Sequence, residues 1–184
     1  MKLHLIRHAK TRANANGFLS CETEEPLNQE GFQQASLLAK YIATIQFDKI
    51  WCSPLLRAIQ TLAPFIESAR FTPEYWPLLC EGQLNFNALA PISTPEFSKE
   101  SNLPKASESV GSFRGRVSEF LSMIANENTD KIVICITHGH FIREALNLFL
   151  GASNYTRFPV GNCSDTLIEL GEHQFIHYVN RTTI

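Results

Sequence analysis

Lys131-Ile132-Val133-Ile134-Cys135-Ile136-Thr137 is an unbroken, β-branched-rich run that ends in His138-Gly139. A strand with one wet face alternates apolar and polar residues, whereas a strand covered on both faces reads as continuous hydrophobic sequence. The run therefore predicts a central strand of a parallel sheet, with the polar pair at its C-terminal rim. The same pattern recurs upstream. Leu3 to Ile6 is a short apolar run that stops at Arg7-His8, and Lys49-Ile50-Trp51-Cys52 stops at Ser53-Pro54. Leu78-Leu79-Cys80 reads as a third, shorter strand ahead of Glu81.

Helical periodicity fills the gaps. From Asn28, a suitable N-cap, Phe32, Ala35, Leu38, Ala39 and Ile42 recur at helical spacing to about Thr44. Ser53-Pro54 opens a second helix with Leu55, Ala58, Ile59 and Leu62 on one face. Ser107 can cap a third, whose apolar positions Val110, Phe113, Val117, Phe120, Leu121 and Ile124 run to about Asn126, and a fourth spans Phe141 to Leu150. The stretch from Gln83 to Ser107 holds Pro91, Pro95 and Pro104 and reads as loop with one short helix. Ser164 to Leu170 and Gln174 to Val179 form strands joined across Gly171-Glu172-His173, as in an antiparallel hairpin.

Strands alternating with helices predict an α/β fold: a three-layer α/β/α sandwich around a mostly parallel sheet with one antiparallel edge strand. With 184 residues, 44% of them hydrophobic, the chain reads as a single domain over 1–184. A formal net charge of -2 gives no reason to expect nucleic acid or an anionic membrane as partner. The N-terminal apolar run is too short for a signal peptide and no later segment approaches a membrane span, so a cytoplasmic protein is expected. Cys21, Cys52, Cys80, Cys135 and Cys163 are odd in number and scattered, with no metal-knuckle or redox spacing, and read as small buried residues. His138 and His140 alone fall short of a metal ligand set, and no metal is expected.

Ligands of such sheets bind beyond the carboxyl ends of the strands. Three strand ends here carry Arg7-His8, Ser53 with Arg57 just after it, and His138-Gly139. Strands lying side by side would bring two arginines and two histidines into one pocket. Each guanidinium offers a fork of donors matched to phosphate oxygens, and Arg57 falls in the first turns of a helix, whose free amides favour an anion. A histidine among such cations is driven toward its neutral form, and a neutral imidazole nitrogen is a competent nucleophile.

Arg7-His8-Ala9-Lys10-Thr11 with Asn14 resembles the signature of the histidine phosphatase superfamily, in the branch of cofactor-dependent phosphoglycerate mutases and many small phosphatases. Further similarities follow in that family's order: Pro26-Leu27-Asn28 with Gly31 and Gln34-Ala35, then Ser53-Pro54-Leu55 with Arg57-Ala58 and Thr61, then Leu79-Cys80-Glu81. Thr137-His138-Gly139 with Ile142-Arg143, and Asn162-Cys163-Ser164, complete the set. The resemblance implies a phosphoglycerate mutase-like fold and His8 as a nucleophile that becomes phosphohistidine. It implies Arg7, Arg57, His138 and Asn14 as the phosphate pocket and Glu81 as the proton donor and acceptor. It implies no metal and no cofactor, and a small phosphorylated metabolite as substrate.

Three departures stand out. Ala9 occupies a position where glycine is commoner, Gly17-Phe18-Leu19-Ser20 lacks the usual glutamine and glycine, and Gly82-Gln83-Leu84-Asn85-Phe86-Asn87 lacks the aromatic-acidic-glycine pattern. A mutase would need extra segments to shield phosphohistidine from water, and the stretch from Gly82 to Ser107 is short for that task, which favours hydrolysis. The alternatives are a phosphoglycerate-type mutase and a module that dephosphorylates or merely binds a phosphoprotein.

Overall fold

The computed structural model describes residues 1–17, 24–82, 108–126, 130–152, 155–172 and 174–184. Six strands form one sheet: β1 (Lys2–Arg7), β2 (Lys49–Cys52), β3 (Glu74–Tyr75), β4 (Ile132–Thr137), β5 (Ser164–Glu169) and β6 (Phe175–Thr182). Their order is β3-β2-β4-β1-β5-β6. Strands β3, β2, β4 and β1 pair in parallel, and antiparallel pairing is confined to the other side, where β5 runs against both β1 and β6.

The helices are α1 (Arg12–Ala15), α2 (Gln29–Ile42), α3 (Leu56–Ala69), α4 (Val110–Asn126) and α5 (Gly139–Phe149). Side chains alternate across a strand. Accordingly Val133 and Cys135 of β4 join Leu3, Leu5 and Trp51 in a core packed by Phe113, Val117 and Phe120 of α4 and Phe141 and Ala145 of α5. Ile134 and Ile136 join Ile6, Ile50 and Cys52 in a second core packed by Ala35, Leu38 and Ile42 of α2 and Ala58 and Leu62 of α3. The continuous apolar run is thus two interleaved faces, each covered by helices.

Asn28 caps α2 as expected, its Oδ1 accepting from the Gly31 N–H at 2.8 Å. The helix α4 ends at Asn126 as read from its periodicity, while Ser107, its expected cap, lies outside the described residues, as do the loop 83–107 and His173. Three readings are corrected, the first being the start of the second long helix, which begins at Leu56 with Leu55 at its N-cap rather than at Ser53-Pro54. Leu78-Leu79-Cys80 is not a strand: Pro77–Leu79 forms one 3-10 turn, and the edge strand is the two-residue β3 before it. Pro77 has no N–H to give a ladder, and the backbone turns instead, with Leu79 N–H donating to Trp76 O and Cys80 N–H to Pro77 O. The fourth long helix starts at Gly139 rather than Phe141, with His138 at the N-cap position.

The four described cysteines, Cys52, Cys80, Cys135 and Cys163, are buried and free. Burial raises all four thiols, Cys80 to about 11 and Cys163 to about 12, so none is a ready nucleophile. Among the described residues, no helix is long and apolar enough to cross a membrane.

Candidate active site

Register decides which residues meet. Arg7 of β1 pairs with Thr137 of β4, and the His8 N–H donates to Thr137 O at 2.9 Å, so His8 and His138 leave adjacent strands side by side. Their ring centroids stand 5.1 Å apart. The end of β2 arrives by the same means, Ser53 N–H donating to Ile136 O, and Ser53 Oγ lies 2.7 Å from His138 Nε2. Arg57 follows in the first turn of α3 and is 1% exposed.

His8 is held from several directions. Its Nδ1 lies 2.7 Å from Ala9 O. A carbonyl can only accept, so Nδ1 carries the proton and the lone pair is on Nε2. Ala9 is fully buried, donates to Thr61 Oγ1 at 2.9 Å, and is absent from the residues with positive φ, so alanine in place of glycine is accommodated without strain. Thr61 donates in turn to Arg57 O. The loop after His8 is fixed against α2, where Lys10 O would stand 2.0 Å from any Cβ on Gly31. Only glycine permits that approach.

The electrostatics follow from the crowding of cations. Burial first, then the Arg57 and Arg7 guanidiniums, hold the His8 pKa well below its ordinary value. Burial, Arg57 and His8 do the same to His138. Both rings are therefore neutral near pH 7. Arg7 donates from Nη1 to Val160 O at 2.7 Å, and its buried Nε has no hydrogen-bond partner among the described residues. Burial lowers its pKa, which Glu81 counters and Arg143 and Arg57 reinforce. Buried positive charge is costly, and a bound phosphate would add negative charge beside it.

Asn14 is brought to the same rim. Its Oδ1 accepts from Thr11 N–H at 3.4 Å and from Asn162 Nδ2 at 3.1 Å, while Asn162 Nδ2 also donates to His8 O at 3.0 Å. Of the Asn14 side chain, Nδ2 has no acceptor among the described residues and is left as a donor toward a ligand. Next in this loop, Cys163 adopts a left-handed φ of 54° and donates its N–H to Arg7 O, tying the loop to the end of β1.

Glu81 lies at the N-terminus of α5. Its Oε1 accepts from Gly82, His140 and Phe141 N–H groups at 3.1, 3.2 and 3.3 Å. Its proximity to the cationic pocket shows in its influence on Arg7. All six residues expected at the site are therefore gathered at one rim of the sheet.

Arg116, which periodicity alone passes over, completes the surroundings. It is 1% exposed on α4, forms a forked ion pair with Glu108 at 2.9 and 2.7 Å, and donates to Leu78 O and Cys80 O at 2.8 Å each. The signal was available: a charged residue interrupts the apolar face Phe113, Val117, Phe120 at helical spacing, with an acid eight positions before it. No group of three or more His, Cys, Asp or Glu among the described residues could hold a metal ion.

Comparison with known proteins places this geometry. A probable phosphatase of Schizosaccharomyces pombe is 28% identical over 186 residues, covering 94% of this chain and 88% of the relative. The structure of a phosphoserine phosphatase from Entamoeba histolytica in complex with 3-phosphoglyceric acid is 25% identical, with a TM-score of 0.70 over 98% of this chain and 97% of that one. The α-ribazole phosphatase from Shigella flexneri shares the fold, with a TM-score of 0.75 at 20% identity over 98% of this chain and 96% of its own. The family model of the histidine phosphatase superfamily (branch 1) matches residues 3–182, and the chain belongs to that superfamily.

Proposed function

We propose that the protein is a metal-independent phosphomonoesterase that hydrolyses a small phosphorylated metabolite through a phosphohistidine on His8. The observation that carries this reading is a buried imidazole held neutral between two guanidiniums, with its proton on the nitrogen that faces Ala9 O. Its family membership and its phosphatase relatives support hydrolysis of a phosphate ester, and the Entamoeba complex with 3-phosphoglyceric acid supports a small metabolite.

In the first step the His8 Nε2 lone pair forms a bond to phosphorus as the bond from phosphorus to the substrate oxygen breaks, and Glu81 gives its proton to the departing oxygen. Arg7, Arg57, His138 and Asn14 hold the three equatorial phosphoryl oxygens, where the negative charge is spread, so positioning and electrostatics supply most of the acceleration. In the second step Glu81 takes a proton from water, whose oxygen attacks phosphorus. The bond to Nε2 breaks and inorganic phosphate leaves. Neutral His138 donates or accepts according to its partner, and its contact with Ser53 Oγ fixes the ring.

The test is to incubate the protein with a panel of phosphorylated metabolites under chelating conditions, quench in base, and look for an acid-labile, base-stable phosphoryl group on His8. Labelled His8 with release of phosphate supports the reading. Turnover without any label on His8 overturns it, and isomer interconversion without release of phosphate replaces it with a mutase.

A further inference from the structure

Resting on the reading above, we infer that the leaving-group side of the site takes an alcohol that carries a second anionic group, a carboxylate or another phosphate, on an apolar body. A cleft of 880 Å³ opens between α4, the first two turns of α5 and residues 155–159. It adjoins Glu81, because His140 on its wall gives its backbone N–H to the Glu81 carboxylate. Tyr155, also on its wall, is within electrostatic reach of Glu81, Arg143 and Arg157. A substrate with its phosphate at His8 and its bridging oxygen at Glu81 extends into this space.

The cleft is cationic by count. Arg114 is neutralised by Glu144 at 2.7 Å, whereas Arg143 and Arg157 have no carboxylate at ion-pair distance among the described residues. Arg143 is fixed by its Nε donating to Phe158 O at 2.9 Å. A Cβ on Gly139 would stand 3.3 Å from Arg7 Nε and 3.4 Å from Arg143 Nη1, so the absent side chain lets both guanidiniums settle on one patch of backbone. Arg143 depresses the Arg7 pKa, a sign that the two charges repel. An anion reaching from the phosphate pocket along Arg7 to Arg143 and Arg157 relieves that repulsion, and Phe113 and Phe158 offer apolar surface to what lies between.

Phenyl phosphate, 4-carboxyphenyl phosphate and 1,4-phenylene bisphosphate separate the possibilities. We expect kcat/KM for an anionic arm to exceed that for phenyl phosphate by about tenfold, the scale of one charge-assisted hydrogen bond. That ratio should fall toward one in Arg143→Gln, in the exposed Arg157→Gln and at high salt. The arm with the larger advantage names the preferred anion. Equal rates on all three compounds, or a preference that survives both substitutions, overturns the inference while leaving the phosphatase standing. No hydrolysis of any of them, with no label on His8, removes the phosphatase reading itself.

A separate observation assigns Arg116 as a positioning residue for Glu81. Its Nη1 binds Leu78 O and Cys80 O, its Nη2 approaches Glu81 O at 3.4 Å, and Glu108 grips the opposite edge of the guanidinium. Thr137 Oγ1 holds Leu79 O from the sheet side. These bonds fix the backbone from which the Glu81 carboxylate is presented, and a displacement of about 1 Å from productive geometry can cost about a hundredfold. Arg116→Lys keeps the charge and loses the fork; Arg116→Met with Glu108→Leu removes both buried charges together and guards against misfolding.

The readout is kcat/KM, which covers phosphorylation of His8 alone. On an alkyl phosphate, whose leaving oxygen needs a proton, it should fall ten- to a hundredfold, and on 4-nitrophenyl phosphate, whose leaving group departs as a stable anion, far less. Equal losses on both substrates make Arg116 merely structural and overturn the assignment. Glu81→Gln is the control. If it too shows no dependence on the leaving group, the role proposed for Glu81 fails first.

Discussion

His4 and His8 lie four residues apart on and just beyond one strand, both nearly buried, in opposite electrostatic company. His4 Nδ1 sits 2.7 Å from Asp165 Oδ2, an oxygen that also accepts from Tyr41 and Tyr178 hydroxyls at 2.8 and 2.6 Å. His8 faces two guanidiniums and has its only side-chain hydrogen bond in the described structure to a neighbouring carbonyl. The first imidazole is satisfied by an anion built into the fold. The second is surrounded by positive charge, and that difference separates a structural histidine from the one proposed as nucleophile.

The comparison breaks most sharply by substitution. His8→Ala should reduce turnover by about ten-thousandfold or more, since on the proposed mechanism it removes the group that carries the covalent intermediate. His4→Gln should leave kcat within a few-fold and appear in denaturant unfolding as a loss of about 1.5 to 3 kcal/mol, the scale of a hydrogen bond to a charged group. Comparable kinetic losses in the two variants would mean that the contrast between the two environments has no functional meaning.

Asp165→Ala sharpens the structural half. It strands His4, Tyr41 and Tyr178 at once, and a midpoint shift equivalent to about 3 kcal/mol is expected, with turnover at low denaturant retained. A variant as stable as the parent would show that the cluster contributes nothing net.

The smallest effect is in pH. The folded-state pKa values of His8 and His138 are both depressed, so the unfolded chain binds more protons than the folded one once pH falls below the unfolded histidine value of about 6.5. Each ring contributes stability that is present above that value and is lost as pH falls from there toward its folded pKa, at most about 1.4 kcal/mol per pH unit per ring. His8→Ala should flatten this acid-side slope in urea titrations between pH 6.5 and 5. An unchanged slope in His8→Ala would contradict a buried neutral ring.

The strand ends, the helix periods and the family motifs lie in short windows of sequence, because alternation across a strand and spacing along a helix are properties of near neighbours. Arg7, His8, Arg57 and His138 could be named from those windows, and the rule that strand ends share a rim brought them together. Leu78-Leu79-Cys80 was misleading for the same reason: apolar content marks burial, but Pro77 and the backbone bonds of one turn decided its conformation.

Other features depend on residues distant in the chain. The tautomer of His8 rests on where Ala9 O turns, the neutrality of both rings on how closely two arginines from different elements approach, and the presentation of Glu81 on an arginine 35 positions later. Periodicity carries which residues are buried and at which edge of the sheet they end. Distances between side chains from separate elements are set only when the sheet and its helices pack, and hydrogen bonding and charge interaction depend steeply on those distances.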